Sequence, residues 1–222
     1  MKNFKDIENL ENLETFDEID ENNKEEKDEI MDLVFVLDMS GSMYELTEDT
    51  IGGFNSLIKK EKEADANTRV TLVLFNTEFK VIHNRKAIGE VEELTSDVYC
   101  AYGCTALLDA VGNTINSLDR KTSGKVLFVI STDGLENASR EFSRNDIKNL
   151  ISNHDWEFLF LGANIDSFKE AGMLGIDASR TANYKASSNG VNRHWRSLSI
   201  ASRSVSDGID LDDGHWKEEL EK

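Results

Sequence analysis

Proline is missing from this chain altogether, cysteine occurs only twice, and no apolar run is long. The absence of proline sets no functional constraint. The short apolar runs exclude a membrane-spanning helix, which needs roughly 20 consecutive apolar residues. Basic residues are also scarce, with 25 Lys and Arg against 43 Asp and Glu and a formal net charge of −18. Such a surface repels phosphate backbones and anionic lipid heads, so nucleic acid and bare membrane are poor partners. The amino terminus carries acids and asparagines where a signal peptide needs a basic and then an apolar stretch, and a cytoplasmic location is expected.

Several chemistries lack their residues. His83, His154, His194 and His215 are scattered, and no nucleophile motif stands beside any of them. No G-x-x-x-x-G-K-[ST] loop exists, so nucleotide hydrolysis by this chain alone is not expected, and Gly52-Gly53 reads as close helix packing. Cys100 and Cys104 could close a small disulfide or hold a soft metal. Zinc needs four ligands, however, and no histidine lies nearby, so two reduced thiols flanking a loop are the expectation.

At 222 residues, one α/β domain with extensions is the natural reading. Residues 1 to 31 hold twelve acids against four lysines, a net of −8. Phe4, Ile7, Leu10, Leu13, Phe16 and Ile19 recur there every third residue, and on a helix such positions circle the axis without marking one face. Disorder or short helical turns are expected, either ordered on a partner or serving only as a solvating tail.

From Asp32 to about residue 208, apolar strands alternate with helical stretches. Leu33 to Leu37 is a buried strand, and Thr47 to Lys62 a helix. Arg69 to Phe75 and Phe79 to His83 are strands joined by a loop too short for a crossover, so they are antiparallel and one lies at a sheet edge. A helix follows Thr105, and Lys125 to Ile130 has the unbroken hydrophobicity of a parallel strand covered on both faces. Ser143 with Asp146 marks the start of a helix running to about Ser152. A strand over Trp156 to Leu161, a helix near Ser167 to Met173 and a strand near Thr181 to Tyr184 come next. The last helix places Val191, Trp195, Leu198, Ala201 and Val205 on one face. Asp210 to Gly214 lacks the later ligands of a calcium loop, so residues 209 to 222 read as an acidic tail. The fold class is α/β: a doubly wound, Rossmann-like, mostly parallel sheet with one antiparallel edge strand and helices on both faces.

The stretch that carries chemistry is Asp38-Met39-Ser40-Gly41-Ser42, at the end of the first strand. Asp38, Ser40 and Ser42 stand at a spacing of two on a turn, so their oxygens converge above the strand's carboxyl end. An all-oxygen set suits Mg²⁺, Mn²⁺ or Ca²⁺ and not zinc or copper. Three donors do not complete an octahedron. Thr105, just before a helix, and Asp133, after an apolar strand, are the further candidates.

These three segments resemble the von Willebrand factor A family and its metal-ion-dependent adhesion site, whose pattern is D-x-S-x-S, a later threonine and a later aspartate. Asp38, Ser40, Ser42, Thr105 and Asp133 match it in chain order, and the likeness covers roughly residues 31 to 208. The resemblance implies a binding module whose metal keeps a coordination position open for an Asp or Glu of a partner protein. Met39, Met43, Tyr44, Cys104 and Glu136 would form the partner-binding rim. The wording 132–137 and 161–164 further resembles stand-alone bacterial members of the family, small cytosolic proteins of which some are encoded near stress-response genes or in phages. The competing reading is a Mg²⁺-dependent phosphohydrolase with Asp38 as nucleophile. Such an enzyme places a second aspartate two residues later, where this chain has Ser40, whose hydroxyl is too weak an acid for the task.

Overall fold

The apolar run at 33–37 lies within strand β1 (Met31–Asp38), near the middle of a six-stranded sheet. The computed structural model describes residues 30–64, 67–122 and 124–220. Side chains of β1 alternate between two cores. Leu33, Phe35 and Leu37 join one, and Val34 and Val36 the other. A strand covered on both faces must be apolar at both parities, which is why the run is unbroken.

The remaining strands are β2 (Thr68–Phe75), β3 (Phe79–Ala87), β4 (Lys125–Thr132), β5 (Glu157–Ala163) and β6 (Thr181–Tyr184). They lie in the order β3-β2-β1-β4-β5-β6, with β3 antiparallel to β2 and every other pairing parallel. This is the expected doubly wound sheet with an antiparallel edge. β3 runs four residues past the His83 at which the sequence pattern stops. Its register with β2 is irregular there, and Arg85, at φ 48°, reaches the wholly buried Asp32 through two hydrogen bonds of 2.8 and 2.9 Å.

Helices α1 (Thr47–Ala64), α2 (Leu107–Leu118), α3 (Arg144–Ser152), α4 (Ser167–Met173) and α5 (Ser188–Ser206) cover the sheet. α1 and α5 share one core with Leu33 and Phe35, whereas α2, α3 and α4 pack on the opposite side with Val34 and Val36. Between α1 and α5, Trp195 lies against Phe35 and Phe54 with ring centroids 6.0 and 6.1 Å away. Gly53 makes this approach possible, because a Cβ there would fall 1.9 Å from Trp195 Cδ1. Ser143 and Asp146 form the reciprocal cap expected at the start of α3.

Two boundaries differ from expectation. Residues 1–29 of the acidic extension lie outside the described residues, but Met31, assigned to that extension by its sequence, is a buried residue of β1. The stretch after residue 208 is not a tail over its described part. Leu211 and Trp216 are fully buried, and Trp216 Nε1 donates to the Ser179 carbonyl at 2.9 Å. Arg180 pairs with Glu157, Asp210 and Asp212 at 2.6, 3.1 and 2.7 Å. Two large apolar side chains and one shared guanidinium thus tie the acids down, a balance that counting charge does not capture. Among the described residues, no helix is long and apolar enough to cross a membrane.

Candidate metal centre

The sheet order reverses between β1 and β4, whose carboxyl ends are the natural place for a ligand in such a fold. Asp38 is the last residue of β1, and Asp133 directly follows β4. The pairing of these strands brings together two carboxylates 95 positions apart in the chain.

The loops around them are stitched by backbone hydrogen bonds. Tyr102 N–H donates to the Met39 carbonyl at 2.9 Å and Gly41 N–H to the Gly103 carbonyl at 3.1 Å, which joins the loop before α2 to the serine turn. Thr105 is held from both sides, since its N–H donates to Asn137 Oδ1 and its carbonyl accepts from Asn137 N–H. Gly103 adopts φ +79°, and a Cβ there would meet Thr77 Oγ1 at 2.8 Å, so both conformation and space require glycine.

The five expected donors do converge. Ser42 Oγ donates to Asp133 Oδ1 at 2.5 Å and lies 3.2 Å from Ser40 Oγ. Asp38 Oδ1 accepts from the Ser40 N–H at 2.6 Å, and Asp38 Oδ2 from Thr132 Oγ1 at 2.5 Å. A Cβ built on Gly134 would sit 2.7 Å from Thr105 Oγ1 and 3.6 Å from both Asp38 Oδ2 and Ser40 Oγ. That point therefore lies in a cradle of oxygens that only glycine leaves open.

Asp38, Ser40, Thr105 and Asp133 are buried, while Ser42 is exposed. Burial pushes the Asp38 carboxyl up to about 6, against the lowering effect of hydrogen bonds from Thr132 and Ser40. Burial also raises Asp133, and the Ser42 hydroxyl offsets part of that rise. Among the described residues neither carboxylate has a Lys, Arg or His within ion-pair distance. Buried carboxylates without a countercharge are costly. Two of them beside three neutral hydroxyls fit a hard divalent cation in chemistry and in placement.

The rim differs from its expected form. Tyr44 and Cys104 are exposed, with Tyr44 74% accessible. Met39 and Met43 are only 7% and 3% accessible and belong to the core shared with α1, so they are not rim residues. Met39 alternates with Asp38 and Ser40 and therefore takes the opposite side of the chain. Glu136 is half-buried, and its carboxylate accepts from the backbone of Leu108, Ala138 and Ser139 and from the Ser139 hydroxyl. It braces the start of α2 and is not free to receive a partner. The exposed side chains the sequence reading missed are Tyr102 and Leu135, neighbours of Gly103 and Gly134. It also missed Tyr99, whose hydroxyl donates to the Asp38 carbonyl at 2.5 Å, and Thr132 and Asn137. Thr132 alone carried a local signal, since it adjoins Asp133. Cys100 and Cys104 are both free. Among the described residues, no group of three or more His, Cys, Asp and Glu side chains is placed to hold a metal.

This fold and site define an α/β domain with a hydroxyl-rich carboxylate centre at the sheet's switch point. Residues 32–190 match the model of the von Willebrand factor type A domain, and the chain belongs to that family. Comparison with curated proteins gives no match. Among solved structures, the chain is similar to a von Willebrand factor type A structure from Catenulispora acidiphila, at 16% identity and TM-score 0.55 over 78% of this chain and 42% of that one. It is also similar to proximal thread matrix protein 1 from the mussel byssus, solved with a zinc-occupied MIDAS motif, at 14% identity and TM-score 0.58 over 78% and 46%. A third is the pilus adhesin SpaC from Lactobacillus rhamnosus GG in its open conformation, at 12% identity and TM-score 0.64 over 82% and 31%. At these identities the likeness shows the fold, and the chain spans less than half the length of each of these structures.

Proposed function

We propose that this chain is a metal-dependent protein-binding module. The observation that carries the reading is the pair of buried carboxylates, Asp38 and Asp133, which meet three hydroxyl groups without a cationic side chain beside them. Asp38, Ser40, Ser42, Thr105 and Asp133 would hold Mg²⁺, or Mn²⁺ or Ca²⁺, and the ion would supply a local positive charge and an open position for an Asp or Glu of a partner protein. Ser42 and Asp133 hold each other across the turn, and Asn137 keeps Thr105 in place. Tyr44, Tyr102 and Leu135 surround the site with exposed apolar surface, which suits a protein partner.

A phosphohydrolase is less well supported. Asp38 is fully buried, whereas a nucleophile must meet the phosphorus of a bulky phosphoryl substrate. Ser40 replaces the second acid such chemistry uses. The reading further takes the protein as cytoplasmic and as part of a bacterial stress-response or phage-related complex, on the likeness of 132–137 and 161–164 to stand-alone members of the family. Its net charge of −18 disfavours nucleic acid and bare membrane as partners.

Titration calorimetry with Mg²⁺ and Mn²⁺ tests the site. Wild type should bind and Asp133→Ala should not. Equal heats from the two proteins would remove the centre from the argument.

A further inference from the structure

The α1–α5 flank is basic, although the chain as a whole is strongly acidic. Over its 19 residues α5 carries Arg193, Arg196 and Arg203 and no acid. Lys60 of α1 is exposed beside it, and Lys60 and Arg196 wall a cleft of about 170 Å³ together with Ser56, Asn192, Ser199 and Trp195, while the exposed Lys59 lines a separate cleft with Lys62, Val91 and Glu93. None of the Lys59, Lys60, Arg196 and Arg203 side chains has a hydrogen-bond or ion-pair partner among the described residues. Trp195 is buried in the wall of the cleft, and its indole N–H has no acceptor. Of the acids of α1, Glu48 and Asp49 stand in its first turn and Glu61 in the interior, whereas Glu63, one turn past Lys59 and Lys60, is an exposed acid beside them.

We propose that this cleft is the docking groove for the chain's own acidic residues 1–29. Three observations select that occupant. The first is charge, since those residues hold twelve acids and four lysines. The second is where the segment joins the domain. Met31 N–H donates to the Asn67 carbonyl, three residues past the end of α1, and Met31 stands in register with Lys125, whose Nζ donates to the carbonyl of Ser206, the last residue of α5. The chain therefore enters β1 beneath the carboxyl ends of both helices that form the groove.

The third is reach. Ser206 lies ten helical residues beyond Arg196, about 15 Å at 1.5 Å per residue. The stretch from Ile30 back to Glu25 covers about 17 Å when extended. Glu25, Glu26, Asp28 and Glu29 can thus meet Arg203, Lys60 and Arg196 directly. Exposed pairs of this kind are individually weak, but tethering raises the local concentration of the acidic segment to the order of millimolar, so weak pairs suffice.

Zero-length carbodiimide coupling of the full-length protein, followed by peptide mass spectrometry, tests the proposal, because it joins a carboxylate to a lysine only where the two are in contact. An equal mixture of ¹⁵N-labelled and unlabelled protein separates links within one chain from links between two. The expected result is within-chain links from the peptide containing Glu25 to Glu29 onto Lys60. At about 1 M salt, where the Debye length is ~3 Å, they should fall about tenfold. They should fall similarly in the double variant Arg196→Glu/Arg203→Glu, whose circular dichroism should match wild type because both residues are exposed. Links spread evenly onto exposed lysines such as Lys80, Lys148 and Lys185, links unchanged in the double variant, links only between chains, or no links at all would each overturn it.

Discussion

Gly134→Ala removes no proposed metal ligand and inserts a single methyl group at the centre of the cradle. The new carbon would stand 2.7 Å from Thr105 Oγ1, whereas ordinary contacts begin at 3.4 Å. Thr105 must then retreat by about 0.7 Å, several times the roughly 0.2 Å tolerance of a metal–ligand distance. The methyl also comes within 3.6 Å of Asp38 Oδ2 and Ser40 Oγ, so three of the five donors meet it. An affinity loss of at least ~10- to 100-fold for Mn²⁺ is expected, the size seen when ligand positioning is disturbed. A modest net loss of stability is expected. Gly134 is not among the residues at positive φ, so alanine fits its backbone. A gain of about 0.4–1 kcal/mol from the unfolded chain opposes an overpacking cost of about 1–3 kcal/mol. Calorimetric titration with Mn²⁺, paired with thermal unfolding, reads both quantities. Wild-type affinity in a folded Gly134→Ala protein would refute the convergence of Asp38, Ser40 and Thr105 on one cation.

Gly53→Ala should lower the melting temperature while leaving Mn²⁺ affinity at the wild-type value. Its Cβ would strike Trp195 Cδ1 at 1.9 Å, an overpacking cost of at least ~1–3 kcal/mol. Unchanged thermal unfolding would show that the indole shifts freely. Arg180→Ala removes the guanidinium shared by Glu157, Asp210 and Asp212. Asp210 and Asp212 are largely solvated and Glu157 is half-buried, so a loss of about 1 kcal/mol is expected, with a red shift of tryptophan emission as Trp216 loosens. Retention of both the melting temperature and the emission maximum would contradict that role. His194 is buried with its pKa lowered to about 3, from an ordinary 6.5. Between these values the unfolded chain binds the proton and the folded chain does not, so stability falls as pH drops from about 6.5 toward 3 and is unaffected above it. From pH 6.5 to 5 the wild type should lose about 2 kcal/mol more than His194→Leu, at ~1.4 kcal/mol per pH unit. Equal losses in urea unfolding at pH 7 and pH 5 would show that His194 is not the group responsible.

Much of this molecule was legible in its residues because the relevant signals are local. Unbroken apolar runs marked β1 and β4, since a strand covered on both faces is apolar at both parities over most of its length. The three-residue loop Asn76 to Glu78 forced the antiparallel edge, because no crossover fits in it. Asp38, Ser40 and Ser42 were readable because they lie close together in the chain: the extended stretch from Asp38 to Ser40 and the 3-10 turn that begins at Gly41 bring their oxygens together. The alternation of an extended chain, applied to Met39, would have sent that side chain into the core, where it lies.

Other features depend on residues far apart in the chain. Glu136 is an acid beside the candidate centre by position, yet it serves as a brace for α2 because Leu108 and Ser139 offer donors that only the folded loops bring near. Tyr99 supports Asp38 from 61 positions away. Leu211 and Trp216 are two apolar residues in an acidic stretch, and what made them core was the surface left open near Ser179 and Arg180. Residue type and spacing determined the donors, the element types and the edge strand. The pairing of β4 with β1, which alone brings Asp133 to Asp38, was decided by tertiary structure, because backbone hydrogen bonds between parallel strands carry no record of which strand is the neighbour.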